Sequence, residues 1–270
     1  MDACGTVPAM VTFVGAGPGD PELVTVKGRN AIREAGLVLY AGSMVPMAVL
    51  DCARKDARIV DSAPLTLEEC HALVRDAAMA GIPVARVHTG DPSLYGALRE
   101  QADLLSAEGI PWRVVPGVTA ASAAAAAAGI AFTQPELTQT LVITRTEGRT
   151  PVPDRERLRL LAAHGTSLAV YLSGRNARTL QEELAAVLPE DTPVLCAHKV
   201  GWPEERLVWT KVGELAAQVE AYGMHRQTVF LVLPSHGGRA SRSRLYDPDF
   251  VHGYRPGPGT SGGGEGGADA

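Results

Sequence analysis

Three short stretches of this 270-residue chain combine glycine with proline, two of them with an acidic residue as well, in patterns that let a backbone close around a small ligand. They are Gly15-Ala16-Gly17-Pro18-Gly19-Asp20, Thr89-Gly90-Asp91-Pro92-Ser93 and Pro116-Gly117-Val118-Thr119-Ala120-Ala121-Ser122. The first falls short of a dinucleotide fingerprint. G-x-G-x-x-G requires glycine at position 20, and Asp20 would set a carboxylate beside a pyrophosphate. Pro18 and Pro21 remove backbone N–H donors that a phosphate cradle uses. No acidic residue stands between positions 35 and 42 to hold a ribose. A plain tight turn, or a turn shaping a cleft for a different ligand, fits better. In the second stretch Gly90 permits close approach to the backbone. Asp91 either accepts a hydrogen bond from a ligand hydroxyl or cation, or makes an Asx turn into the next helix. In the third, Thr119 is a plausible N-cap. The alanines after it suit a helix lying tight against a sheet or a ligand.

Other chemistries find little support. Ser43 lacks the G-x-S-x-G elbow of a hydrolase nucleophile. The seven histidines are scattered without H-E-x-x-H spacing, so no metal site is expected. His88 and His198 read as structural. Arg145 and Arg149 lie close enough together to grip carboxylates, although a solvated charged loop would look the same. The four cysteines form no C-x-x-C pair and read as reduced cytosolic thiols. With 25 Lys and Arg against 30 Asp and Glu, the net charge of −5 argues against a nucleic-acid coat. No signal peptide is expected. The weakly polar stretch 114–132 is mostly alanine, too poor in apolar area to hold a span in lipid, so no membrane partner is expected.

These segments must be positioned by a regular framework. Apolar runs at Val11–Val14, Leu37–Tyr40, Ala57–Val60, Val84–His88 and Trp112–Val115 alternate with helical patterns at 22–35, 67–80, 97–107 and 119–128. Thr66 and Glu69 form a capping-box pair. Such alternation predicts a mostly parallel sheet with helices on both faces, with ligands beyond the carboxyl ends of its strands. A polar, proline-containing linker at 133–139 leads to a second α/β block. Its strands are expected at 140–144, 167–172, 193–197, 206–209 and 229–233, with hairpin character around Gly201-Trp202-Pro203. The expected organisation is an N-terminal α/β domain over residues 10–134, a C-terminal mixed-sheet α/β domain over 139–236, and a flexible Gly-rich tail over 237–270.

Taken in order, the three loops resemble those of the tetrapyrrole methylases, with their G-x-G-P-G-D, G-D-P and P-G-[VI]-[ST] motifs. Within that family Tyr40-Ala41-Gly42-Ser43-Met44-Val45-Pro46 is similar to the Y-A-G-S-L-V-P of precorrin-4 C-11 methyltransferases. Glu147 to Pro151 and Ser167 to Ser173 resemble the same branch. The resemblance spans about residues 10–235. It implies two α/β domains with S-adenosylmethionine held in the cleft between them and no metal. It also implies methylation of a ring carbon, C-11, of precorrin-4 or cobalt-precorrin-4 in cobalamin biosynthesis. The cofactor contacts it implies are Pro18, Thr89, Gly90, Asp91, Thr119, Ala120, Leu172 and Ala197. Asp20 is the candidate base. An acceptor rich in carboxylates needs local cations, for which Lys27, Arg29, Arg145 and Arg149 are candidates, with Arg113, Arg175 and Lys199 behind them and Ser43 as a further substrate contact. A cytoplasmic homodimer is expected. The competing readings are another corrin or uroporphyrinogen methylase, and a catalytically silent nucleotide-binding domain.

Overall fold

The computed structural model describes residues 7–238, 243–247 and 249–255. Five strands form the first sheet: β1 (Val11–Gly15), β2 (Leu37–Tyr40), β3 (Arg58–Asp61), β4 (Val84–His88) and β5 (Trp112–Val115). They run β3-β2-β4-β1-β5, all parallel, as the strand–helix alternation predicts. Side chains alternate between the faces of each strand. Val11 and Phe13 of β1 join Leu37, Leu39 and Val84 against helices α2 (Leu67–Met79) and α3 (Leu98–Ala107). Val14, Val38, Ala85 and Val87 face the other way, onto Ala31 and Ile32 of α1 (Val26–Glu34). The capping box of α2 is formed in both directions, with Glu69 N–H donating to Thr66 Oγ1 and Thr66 N–H to Glu69 Oε2. The helical pattern over 22–35 divides in two. Asp20 caps a short 3₁₀ turn at Pro21–Leu23, and Thr25 then caps α1 afresh.

The second sheet contains β6 (Leu141–Arg145), β7 (Ser167–Tyr171), β8 (Pro193–His198), β9 (Arg206–Lys211) and β10 (Thr228–Val232), in the order β6-β7-β10-β8-β9. Only the β6–β7 pair is parallel. β8 and β9 form the hairpin expected around Gly201-Trp202-Pro203. One face packs on α5 (Leu158–Ala162), α6 (Ala177–Ala185) and α7 (Leu215–Ala221) through Leu158, Leu180, Leu184, Leu215 and Val219. The other face is covered by α4 (Ala120–Ala128), which follows the last strand of the first sheet. Ala121, Ala123, Ala124 and Ala125 lie against Ala169, Leu195, Ala197 and Leu231. Methyl-sized side chains let this helix axis come close to the strands, which explains the run of alanines in the sequence.

Among the described residues no helix is long and apolar enough to cross a membrane. Cys52, Cys70 and Cys196 are free thiols, while Cys4 lies outside the described residues. Of the Gly-rich tail expected over 237–270, residues 239–242, 248 and 256–270 lie outside them as well. The described part contains a 3₁₀ turn at Arg244–Tyr246, and Arg255 donates to the carbonyls of Leu245, Asp247 and Phe250.

Candidate active site

The three glycine-bearing loops leave the carboxyl ends of β4, β1 and β5, which are direct neighbours in the sheet. They touch through their backbones. Gly17 and Gly90 exchange hydrogen bonds, N–H of each to the carbonyl of the other, at 3.2 and 2.7 Å. A Cβ on Gly15 would lie 2.5 Å from Gly117 N, and one on Gly117 would lie 2.8 Å from Gly15 Cα and collide with the Gly90 carbonyl. Any side chain at 15 or 117 would therefore force the loops apart.

Asp91 ties this knot. One carboxylate oxygen accepts from Ser93 N–H at 2.8 Å, and the other from Gly117 N–H at 2.9 Å. The first bond is the Asx turn; the second links the β4 loop to the β5 loop. Burial pushes this carboxyl up, but the hydrogen bonds from Gly117 and Ser93 outweigh it and hold the group below the usual carboxylate range. The structure therefore uses both Asp91 oxygens to brace loops.

Three hydrogen bonds join these loops and their neighbours to the second half of the chain. Trp202, from the β8–β9 hairpin, donates its indole N–H to the Pro18 carbonyl at 3.0 Å, and its ring occupies the space a Cβ on Gly19 would need. Tyr171, at the end of β7, accepts from Ala121 N–H in the first turn of α4 at 2.8 Å. Thr119 caps that helix, accepting from Ser122 N–H, and Ala120 beside it is half-buried. Leu172 follows Tyr171 with a left-handed φ of 55° and is 63% exposed. Strain of this kind in a non-glycine residue concentrates where ligands are gripped. Gln227 Nε2 donates to the carbonyl of exposed Ser43, joining the Tyr40–Pro46 loop to the second half. Asp61 fixes the same loop by accepting from Gly42 N–H at 2.9 Å.

Of the expected cofactor contacts, Gly90 is bonded to Gly17, Pro18 to Trp202, and Thr119 and Ala120 stand at the start of α4 beside Tyr171, which Leu172 follows. Ala197 is not among them: the residue is fully buried under α4, in the core of the second sheet. Asp20 accepts from Glu22 N–H as an N-cap, a structural duty that accounts for the carboxylate. Arg145 donates to the carbonyls of Thr150 and Pro151 and so holds its own loop, while Arg149 is exposed within that loop. Lys27 and Arg29 are exposed on α1. His198 bonds Thr228 Oγ1 at 3.0 Å, as a structural histidine should. His88 differs: it is 5% exposed, its Nε2 has no partner among the described residues, and burial together with the Arg86 charge lowers its pKa to about 3. The sequence assigns no site role to Trp202, named only within an expected hairpin, to Tyr171, within the stretch 167–173, or to Asp61. Each acts over a long chain separation, which local patterns do not record.

What this site offers a ligand is close-set backbone, small side chains and a few exposed apolar groups. Among the described residues no group of three or more His, Cys, Asp or Glu is placed to hold a metal ion.

Comparison with known proteins agrees with this architecture. The model for the Tetrapyrrole (Corrin/Porphyrin) Methylases matches residues 10–216. Over 250 residues the chain is 43% identical to a cobalt-precorrin-4 C(11)-methyltransferase of Priestia megaterium, covering 91% of this chain and 97% of that one. It is also 43% identical to a precorrin-4 C(11)-methyltransferase of Pseudomonas aeruginosa, covering 92% and 99%. The X-ray structure of a cobalamin biosynthetic enzyme, cobalt precorrin-4 methyltransferase, superposes with a TM-score of 0.81 at 42% identity, covering 83% of this chain and 94% of that one. A uroporphyrin-III C-methyltransferase from Thermus thermophilus, solved with S-adenosyl homocysteine, gives 0.68 at 27%, covering 83% and 97%. The motif loops, the parallel and mixed sheets and these likenesses agree: the chain belongs to the tetrapyrrole (corrin/porphyrin) methylases.

Proposed function

We propose that this protein transfers a methyl group from S-adenosylmethionine to C-11 of a precorrin-4-type tetrapyrrole, metal-free or cobalt-bearing. The observation that carries the reading is the 43% identity to relatives of that C-11 specificity over nearly their whole length. The site supports it. Glycine backbones at 15 and 117 leave no room for side chains, Gly90 has a left-handed φ of 60°, and strained Leu172 is exposed. Pro18, Thr89, Gly90, Thr119, Ala120 and Leu172 would hold the cofactor, with Asp91 bracing the loops that carry them.

S-adenosylmethionine, when bound, supplies a methyl group already activated on a sulfonium. The acceptor carbon of a reduced tetrapyrrole is electron-rich in its own right, so the protein needs no side-chain nucleophile. Its residues orient the two ligands and exclude water, which together can account for roughly 7–11 kcal/mol of barrier. Arg149, with Lys27 and Arg29, would meet substrate carboxylates. We further expect a homodimer working in the cytoplasm, which gel filtration and fractionation would test.

The decisive assay incubates the protein with labelled S-adenosylmethionine and a precorrin-4-generating mixture, with and without cobalt, and locates the label by mass and NMR analysis. Label at C-11 supports the reading. Label at another ring carbon makes the protein a different methylase of the family, and binding without transfer makes it a silent binding domain.

A further inference from the structure

We propose that Tyr95 is a substrate-positioning residue whose ring, with Leu172, forms the wall against which the flat face of the tetrapyrrole rests. This rests on the proposed function above.

Tyr95 lies in the loop between β4 and α3 and is 47% exposed, a large aromatic surface facing solvent. Its backbone is left-handed, with φ 56°, a conformation that costs a non-glycine residue of order 1–3 kcal/mol unless its surroundings hold it there. The surroundings do. Leu94 N–H donates to the Asp91 carbonyl, Ser93 N–H to the Asp91 carboxylate, and Gly96 is pressed against Pro92 and His88. The fold thus spends strain to present this side chain.

The ring meets the second half of the chain. Its centroid lies 5.8 Å from that of Tyr171, which belongs to the other half of the chain and is itself fixed by Ala121 N–H. Leu172, the next residue, is also exposed and also left-handed. Tyr95 and Leu172, the latter one residue from the ring partner of the former, are thus strained, exposed apolar residues on opposite halves of the chain, and exposed apolar surface of this kind marks contact sites. Tyr95 Oη makes no hydrogen bond among the described residues, so the ring, not the hydroxyl, is what the site offers. Burial raises the phenol pKa; the Arg145 charge opposes that rise, while Tyr171 and Glu156 add to it. A flat conjugated ring system matches an exposed aromatic face. An open groove of about 640 Å³ along α3 reaches Tyr95, so the ring is accessible from solvent.

The test compares full-length wild type with Tyr95→Phe, Tyr95→Leu and Tyr95→Ala. The readouts are acceptor KM and kcat, S-adenosylhomocysteine affinity by calorimetry, binding of uroporphyrin III by fluorescence quenching, and Tm. Tyr95→Ala is expected to raise the acceptor KM and weaken uroporphyrin III binding by about tenfold or more, the equivalent of ~1.4 kcal/mol. S-adenosylhomocysteine affinity should stay within about twofold, and Tyr95→Phe should match wild type. Tyr95→Leu, which keeps apolar bulk, reads the same loss should the alanine variant fold poorly. Unchanged macrocycle affinity in both variants overturns the proposal, as does a loss confined to S-adenosylhomocysteine or an equal loss in Tyr95→Phe. If wild type binds uroporphyrin III but does not methylate precorrin-4, the functional reading falls and the binding comparison still decides the role of Tyr95. If wild type binds no macrocycle, both fall.

Discussion

Replacing Asp91 with alanine should loosen the site without removing any group that faces a ligand. The variant loses the bonds from Ser93 N–H and Gly117 N–H. A hydrogen bond to a charged group contributes ~1.5–3 kcal/mol. Ser93 is exposed and its N–H can turn to water, so the larger loss falls at Gly117, wedged against Gly15 and Gly90. The net cost should be about 2–3 kcal/mol, or a Tm lowered by roughly 4–5 °C for a chain of this size. S-adenosylmethionine affinity should fall about tenfold, because the freed loop must be re-ordered on binding. Because the folded carboxyl lies below its ordinary value, its contribution is present above that value and is lost as the pH falls through the lower folded value. The variant should thus lose less stability than wild type on acidification below about pH 4. Differential scanning calorimetry and titration calorimetry read all three effects. A variant with wild-type Tm would refute the bracing role, and a wild-type Tm with lost affinity would make Asp91 a direct ligand.

Further outcomes follow from the same geometry. Gly117→Ala should abolish cofactor binding and lower stability by more than about 3 kcal/mol, whereas Gly109→Ala, in open space, should cost only left-handed strain of ~1–2 kcal/mol; equal Tm values for the two would sink the close-approach argument. His88 is kept neutral in the fold down to about pH 3, while the unfolded chain protonates it near 6.5. Stability should therefore drop on acidification between those values, by at most ~1.4 kcal/mol per pH unit, and His88→Leu should flatten that slope in thermal melts. Arg149→Ala should raise the acceptor KM with little change in cofactor affinity; steady-state kinetics showing equal loss for both ligands would remove it from the substrate site.

Much of the frame could be read from local pattern. Strands such as Val11–Gly15 and Val84–His88 are short apolar runs stopped by glycine, and Thr66 with Glu69 marks a helix start within four residues. The motif loops were legible for the same reason, since each follows a strand directly. What escaped was set by contacts across the chain. Nothing near Trp202 announces that its indole reaches Pro18, and nothing near Tyr171 announces Ala121. Asp91 was legible as a polar residue at a strand end, but its double engagement depends on Gly117, 26 residues away. Arg145 had the right type for carboxylates, yet its guanidinium turns back on Thr150 and Pro151. The break in the helical pattern before α1 was hidden because Thr25 can either continue a helix or cap one.

The alanine helix α4 has a consequence for how the molecule can be divided. It is made by the first part of the chain but roofs the sheet made by the second. Cutting the polypeptide at the linker before Leu141 would therefore not release two self-sufficient modules. The later fragment would be left with Leu195, Leu231 and Ala169 facing water, a bare apolar flank inviting association. The halves are coupled like a hinge whose pin is cast with one leaf: whatever moves the loop at Thr119 also moves the roof of its neighbour.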